Sequence, residues 1–244
     1  MDFQIGDVVN RTFGAISRNF VVFFLLSFVL VGIPTFIIGF AQFGALSDDV
    51  SAFGITMLAT LIVNLVATYI LQGALIHGAV VDFNGGRANF GACLSTGLNH
   101  FFPLIMIAIL MTLGIMLGML LLIVPGIILS IMWLLAIPVQ VVENTGITEA
   151  LSRSRELTRG NRWKIFGLYV IFFILASAIS LLIMLPVGLF GANSPEVSLG
   201  ALIFEMAATV LTAIVGAAGV SALYYELRKS KEGVGAEALA KVFD

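Results

Sequence analysis

Residues 147–190 read ITEALSRSRELTRGNRWKIFGLYVIFFILASAISLLIMLPVGLF, and this stretch decides the fold. Its first part is amphipathic. Ile147, Ala150, Leu151 and Leu157 recur at helical spacing, while Arg153, Arg155 and Arg159 are left to water. Gly160 is a stop, because glycine readily takes the left-handed conformation that ends helices. After Arg162-Trp163-Lys164 the chain runs from 165 to 190 without a charged residue. A helix needs roughly 20 apolar residues to cross ~30 Å of hydrocarbon, so this run is long enough to span a bilayer. The order is therefore a helix lying in the membrane interface, a basic and aromatic anchor, and a span.

Working outward, five more spans appear: 20–43 with Pro34 as a kink, 53–80, 102–124, 127–142 and 199–223. The segment 127–142 has sixteen residues, so it either crosses with Glu143 reaching for the inner face or dips into a thinned region. The apolar run at 20–43 exceeds the roughly 7–15 residues of a signal-peptide core and is expected to remain as a span. Composition agrees: 60% of the 244 residues are apolar, 11% are charged, and the mean hydropathy is +1.11. Ordinary globular chains carry roughly 25% charged residues. The one cysteine, Cys93, excludes an intramolecular disulfide and a CxxC site.

All twelve Lys and Arg residues then fall on one side. Arg11 and Arg18 precede the first span, Arg87 follows the second, and Arg153 to Lys164 precede the fifth. Arg228, Lys229, Lys231 and Lys241 follow the sixth. The opposite loops hold only Asp48, Asp49 and Glu196. Positive residues stay inside, which places both termini in the cytoplasm.

The first 19 residues echo the decisive stretch. A shift of 142 lays Ile5 on Ile147, Asp7 on Glu149, Val9 on Leu151, Arg11 on Arg153, Thr12 on Ser154 and Asn19 on Asn161. A fainter copy has Phe90, Cys93, Leu94 and Leu98 as its apolar stripe, followed by Asn99, His100 and Phe101. Parallel repeats of this kind pack around an axis along the membrane normal. The expected fold is an all-α polytopic membrane protein of six transmembrane helices in three hairpins, each preceded by an amphipathic interfacial helix. Residues 1–244 form a single membrane domain with repeat-like units of about 1–80, 81–142 and 143–229. Residues 230–244 form a cytoplasmic tail, either mobile or with a short helix at 236–242.

The run Ile123-Val-Pro-Gly-Ile-Ile-Leu-Ser130, then Val142-Glu143, then Glu149-Ala-Leu-Ser-Arg-Ser-Arg-Glu-Leu-Thr-Arg-Gly-Asn161, resembles a bacterial signature. So does Leu223-Tyr-Tyr-Glu-Leu-Arg228. They resemble the membrane domain associated with glycerophosphoryl diester phosphodiesterases and its free-standing relatives. The resemblance implies a multi-pass bacterial inner-membrane protein. It carries no catalytic residue across, because the phosphodiesterase chemistry of such fusions belongs to a separate soluble domain.

The residues themselves point away from catalysis. His77 and His100 are not in an HExxH arrangement, and there is no GxSxG and no GxxxxGK[ST]. The expectation is no enzyme, no cofactor and no metal. Asp82-Phe-Asn-Gly-Gly-Arg87 reads as a turn. Gly114 and Gly118 form a GxxxG, and Gly216, Ala217, Gly219 and Ala222 a small-residue surface, both signs of close helix contact.

Two sets of side chains compete as the site. Arg153, Arg155, Arg159, Arg162 and Lys164 form a juxtamembrane basic cluster suited to anionic lipid head groups or a membrane-protein partner. Nucleic acid is not expected there, since Trp163 is the cluster's single aromatic residue. Asn64, Gln72, His77 and Glu205 lie inside the spans, where polar groups are either helix–helix contacts or a transport pathway. The first set suggests a non-enzymatic scaffold or accessory protein; the second, a small-solute or ion transporter or channel. The transporter requires its four residues to converge on one cavity. The scaffold lets them scatter. The sequence does not fix the oligomeric state.

Overall fold

The computed structural model describes residues 3–44, 50–190 and 195–233. Asp48, Asp49 and the expected helix at 236–242 lie outside the described residues, as does the side chain of Glu196. Every regular element among the described residues is helical: α1 Ile5–Ser27, α2 Ile33–Gly44, α3 Val50–Phe83, α4 Phe90–Leu121 and α5 Ile123–Trp133. There follow α6 Ala136–Glu143, α7 Ile147–Thr158, α8 Arg162–Phe190 and α9 Pro195–Glu232. Six stretches of these are long and apolar enough to cross a membrane. The protein is an all-α, multi-pass membrane protein.

α3 pairs mainly with α4, α1 with α9, and α8 with α9. Glycines set the approach. Gly73 and Gly97 bring α3 and α4 nearly into backbone contact; a Cβ on Gly73 would lie 3.1 Å from the Gly97 Cα. Gly118 similarly faces Gly126, and Gly114 faces the Trp133 ring, so the GxxxG serves the α4–α5 hairpin within one chain. On α9, Gly219 receives the Phe172 ring of α8, while Ala217 and Ala222 are buried.

The first unit has a first helix and then a span, joined by a kink, and the backbone is irregular again just ahead of Pro34. Within α1 the segment that begins at Ile5 and the apolar run that follows are two helical pieces meeting at a kink, Asn19, whose φ of −119° and ψ of 21° are non-helical. Ahead of Pro34 the helix widens into a π-turn, Phe28–Gly32, where the Ile33 N–H reaches back to the Phe28 carbonyl. Proline lacks an N–H and its ring displaces the carbonyl four residues before it. The extra residue in the turn absorbs that clash.

The middle unit is corrected. Its faint interfacial helix is simply the start of α4, one helix of 32 residues. Asn89 caps it by accepting the Ala92 N–H at 3.2 Å. The turn before it forms as expected, with Gly85 at φ +83°.

The segment 127–142 is not one helix. α5 and α6 are separated at Leu134-Leu135, where Leu135 has φ −95° and ψ 4°. Pro138 explains the restart, since it has no N–H to donate and its ring displaces the carbonyl four residues before it, that of Leu134. The break is stapled from α7. Ser154 Oγ accepts the Leu135 N–H at 3.1 Å and donates to the Met132 carbonyl at 2.8 Å. Val124, Ile127, Ile128 and Ile131 of α5 line one groove with Arg162, Trp163 and Phe166 of α8.

Gly160 ends α7's exit as expected, at φ +89°. α9 continues past the expected end of the last span at 223 to Glu232, and those added turns carry most of the polar chemistry below.

Candidate functional site

The charged end of the bundle is built from α1, α7 and the last turns of α9. Arg11 Nε donates to Glu226 Oε1 at 2.7 Å, and its guanidinium lies 4.4 Å from the Tyr225 ring centre and 5.5 Å from that of Phe83. The Glu226 side chain is 8% exposed. A carboxylate so deeply placed is tolerated only when paired. Arg18 forms two bonds to Asp82, 2.9 and 2.5 Å, with the Asp82 side chain 2% exposed. Asn19, at the bend of α1, donates to the same carboxylate at 2.8 Å and accepts the Ala88 N–H at 2.9 Å. One bend thereby ties α1 to the α3–α4 turn.

A third knot gathers Arg153. It donates to Glu143 at 3.1 Å and is bonded to Glu232 of α9. Glu143 also accepts the Tyr224 hydroxyl at 2.8 Å, and Arg228 donates to that hydroxyl at 2.9 Å and to Glu232 at 3.0 Å. Burial opposes the charge on Arg153, but its bonds to Glu232 and Glu143 outweigh that and hold the guanidinium above its ordinary value.

The five-residue basic cluster therefore divides. Arg153 is spent on the knot and is no head-group ligand. Lys164 Nζ donates to the Phe3 carbonyl at 3.2 Å, pinning the chain's start. Arg155 and Arg159 are exposed, and Trp163 beside them is 85% exposed. Arg162 is half-buried in the α5–α8 groove.

The intramembrane four do not converge. Gln72 lines a cavity of about 470 Å³ between α3, α6 and α9, with Thr68, Thr209 and Thr212 as its other polar residues. Asn64 turns back to donate to the Thr60 carbonyl of its own helix at 3.0 Å. Glu205 is exposed on the outside of α9, and neither it nor His77 lines that cavity.

Sequence reasoning missed Glu226, Glu232 and Asp82 as partners. Their pairings span 64 to 215 residues and have no local signature. The signal available was the repeat: Arg11 and Arg153, matched by the 142-residue shift, both meet carboxylates near the end of α9.

A helical multi-pass membrane protein, with α1 and α7 knotted by charge to α9, is the class these features define. Residues 57–227 match the domain of unknown function DUF7847, and the chain belongs to that family. The match takes in the Glu143–Arg153 pair and ends just short of Arg228 and Glu232, while α1 precedes it. No curated protein and no solved structure matches the chain.

Proposed function

We propose that the protein is a non-enzymatic scaffold of the bacterial inner membrane, both termini cytoplasmic, engaging anionic lipids or a membrane-protein partner through α7. The observation that carries this reading is the division of polar groups. Asn64, His77 and Glu205 do not join Gln72 at its cavity, whereas Arg155, Arg159 and Trp163 are left exposed beside a base knotted by ion pairs. Arginines on a helix already fixed in place spend side-chain but not backbone freedom on binding, and their planar forks match acidic oxygens. The one-sided distribution of Lys and Arg supports the orientation. The resemblance to the phosphodiesterase-associated membrane domain supports an accessory role.

A photo-crosslinking residue at the exposed Ser152 tests it in intact cells. A discrete adduct that disappears in Arg155→Glu/Arg159→Glu is the expected result. An adduct indifferent to those charges sinks the reading.

The cavity around Gln72 favours transport as a second reading, because its threonines give it a partly polar wall. Solute flux into proteoliposomes that is abolished by Gln72→Leu would establish it. Its dependence on Gln72, rather than Glu205, follows from where the two side chains lie.

A further inference from the structure

The groove between α5 and α8 combines a hydrocarbon-like wall with a single cation. The aliphatic side chains of Val124, Ile128 and Ile131 face Phe166 and Trp163 across about 430 Å³, and Arg162 is the one charged residue in the lining. Spaces of ~300–1,000 Å³ are the usual size for bound small molecules. We propose that this groove binds one anionic phospholipid in preference to a zwitterionic one, with its phosphate on Arg162 and an acyl chain along α5.

Three observations converge on that occupant. Arg162 Nε is shielded from solvent and has no acceptor among the described residues. No carboxylate lies within ion-pair distance of Arg162 among them either. Arg162 as a whole is only half-buried, and the planar fork of arginine matches phosphate oxygens. The neighbourhood is positive as well. Arg159, Arg153 and Arg162 all repel the Lys231 ammonium, with Glu156 as the opposing carboxylate. Trp163 extends outward next to Arg162, the arrangement of an amphipathic ring at head-group level. A partner's transmembrane helix, about 10 Å wide, would cover the aliphatic wall but bring no anion to Arg162.

This deepens the scaffold reading by naming a lipid site, yet it is tested apart from it. The scaffold experiment turns on Arg155 and Arg159; this one turns on Arg162 and Ile128. Trp133→Phe leaves Trp163 as the sole tryptophan. The full chain in phosphatidylcholine nanodiscs is then titrated with phosphatidylglycerol brominated on its acyl chains. Saturable quenching of Trp163 is expected, together with one phospholipid retained in native mass spectra. Arg162→Gln should raise the half-saturating lipid fraction about tenfold, the effect of losing a charge-assisted bond. Arg162→Lys should fall between, since it keeps charge but not the fork. Ile128→Phe, which fills the groove, should reduce retention with Arg162 intact, and it carries the test if Arg162→Gln does not fold. Quenching that rises linearly with lipid fraction, or equal retention in all variants, overturns the proposal. So does a polypeptide cross-linked to α5 that excludes lipid from the groove.

Discussion

The first half of α1 and the whole of α7 begin two units alike and leave them differently. Arg11 and Arg153 both reach carboxylates on α9, Glu226 and Glu232. Thr12 and Ser154, the next residues, are both fully buried. The exits diverge. Gly160 turns left-handed and separates α7 from α8, whereas the matching position in the first unit is Arg18. An L-residue pays roughly 1–2 kcal/mol for that conformation, and Arg18 is held by Asp82. The chain there turns one position later, at Asn19, whose non-helical φ of −119° and ψ of 21° kink α1. The repeat thus specifies where each unit's first helix is tied, while the exit is a left-handed glycine in one unit and a kink at Asn19 in the other.

Removing the ties should produce the largest effects, and unequal ones. Arg11→Met strips Glu226 of the one cation within ion-pair distance of it among the described residues, and loses the stack on Tyr225. A destabilisation of about 3–4 kcal/mol is expected, near the range for leaving a buried charge unpaired. Arg153→Met should cost about 2 kcal/mol, because Glu143 keeps Tyr224 and Arg228. Denaturant unfolding in detergent micelles measures both. Equal losses would mean that the two ties are equivalent and that depth of burial does not distinguish them. Adding Glu226→Gln to Arg11→Met should recover part of the loss, the mark of a direct pair.

The break and the staple come next. Ser154→Ala deprives the buried Leu135 N–H of its acceptor and should cost about 2 kcal/mol. Gly160→Ala forces an alanine to φ +89° and should cost about 1–2 kcal/mol, although a Cβ there meets nothing within 4 Å. If Gly160→Ala were neutral, α7 and α8 would have joined through a kink of the kind seen at Asn19. Hydrogen exchange at Asn161 would report it, as its N–H now bonds to the Thr158 carbonyl in the turn.

These sites differ in how far the sequence exposes them. Spans 165–190 and 199–223 are legible because an apolar run of that length has few other uses. Gly160 and the pair Gly114–Gly118 are legible for a similar reason: glycine has specific backbone and packing roles. Ser154 is not, since a serine on an amphipathic helix looks like ordinary polar filler. Its partners are carbonyl and amide groups released by the Leu134-Leu135 break, and Pro138 was the one available hint of that break. The facing of Glu205 was equally closed to inspection. α9 is apolar nearly all round its spanning part, so no stripe sets its rotation; its contacts with α1 and α8 do.

The smallest expected effect sharpens the comparison most. Thr12 and Ser154 share a repeat position and complete burial, but the Thr12 hydroxyl donates only to the Val8 carbonyl, 2.7 Å away in its own helix. That carbonyl already belongs to the helical ladder, so no backbone group depends on Thr12. Valine has nearly the same shape and fills the same space. Thr12→Val should therefore change stability by no more than about 0.5 kcal/mol, since a hydroxyl and its bond are removed together without orphaning a partner. Ser154→Val, by contrast, leaves Leu135 and Met132 unsatisfied and adds bulk where Ser154 is fully enclosed, so it should exceed Ser154→Ala. A large loss at Thr12 would show that the first unit hides a staple of its own, and the two interfacial helices would then differ only at Gly160.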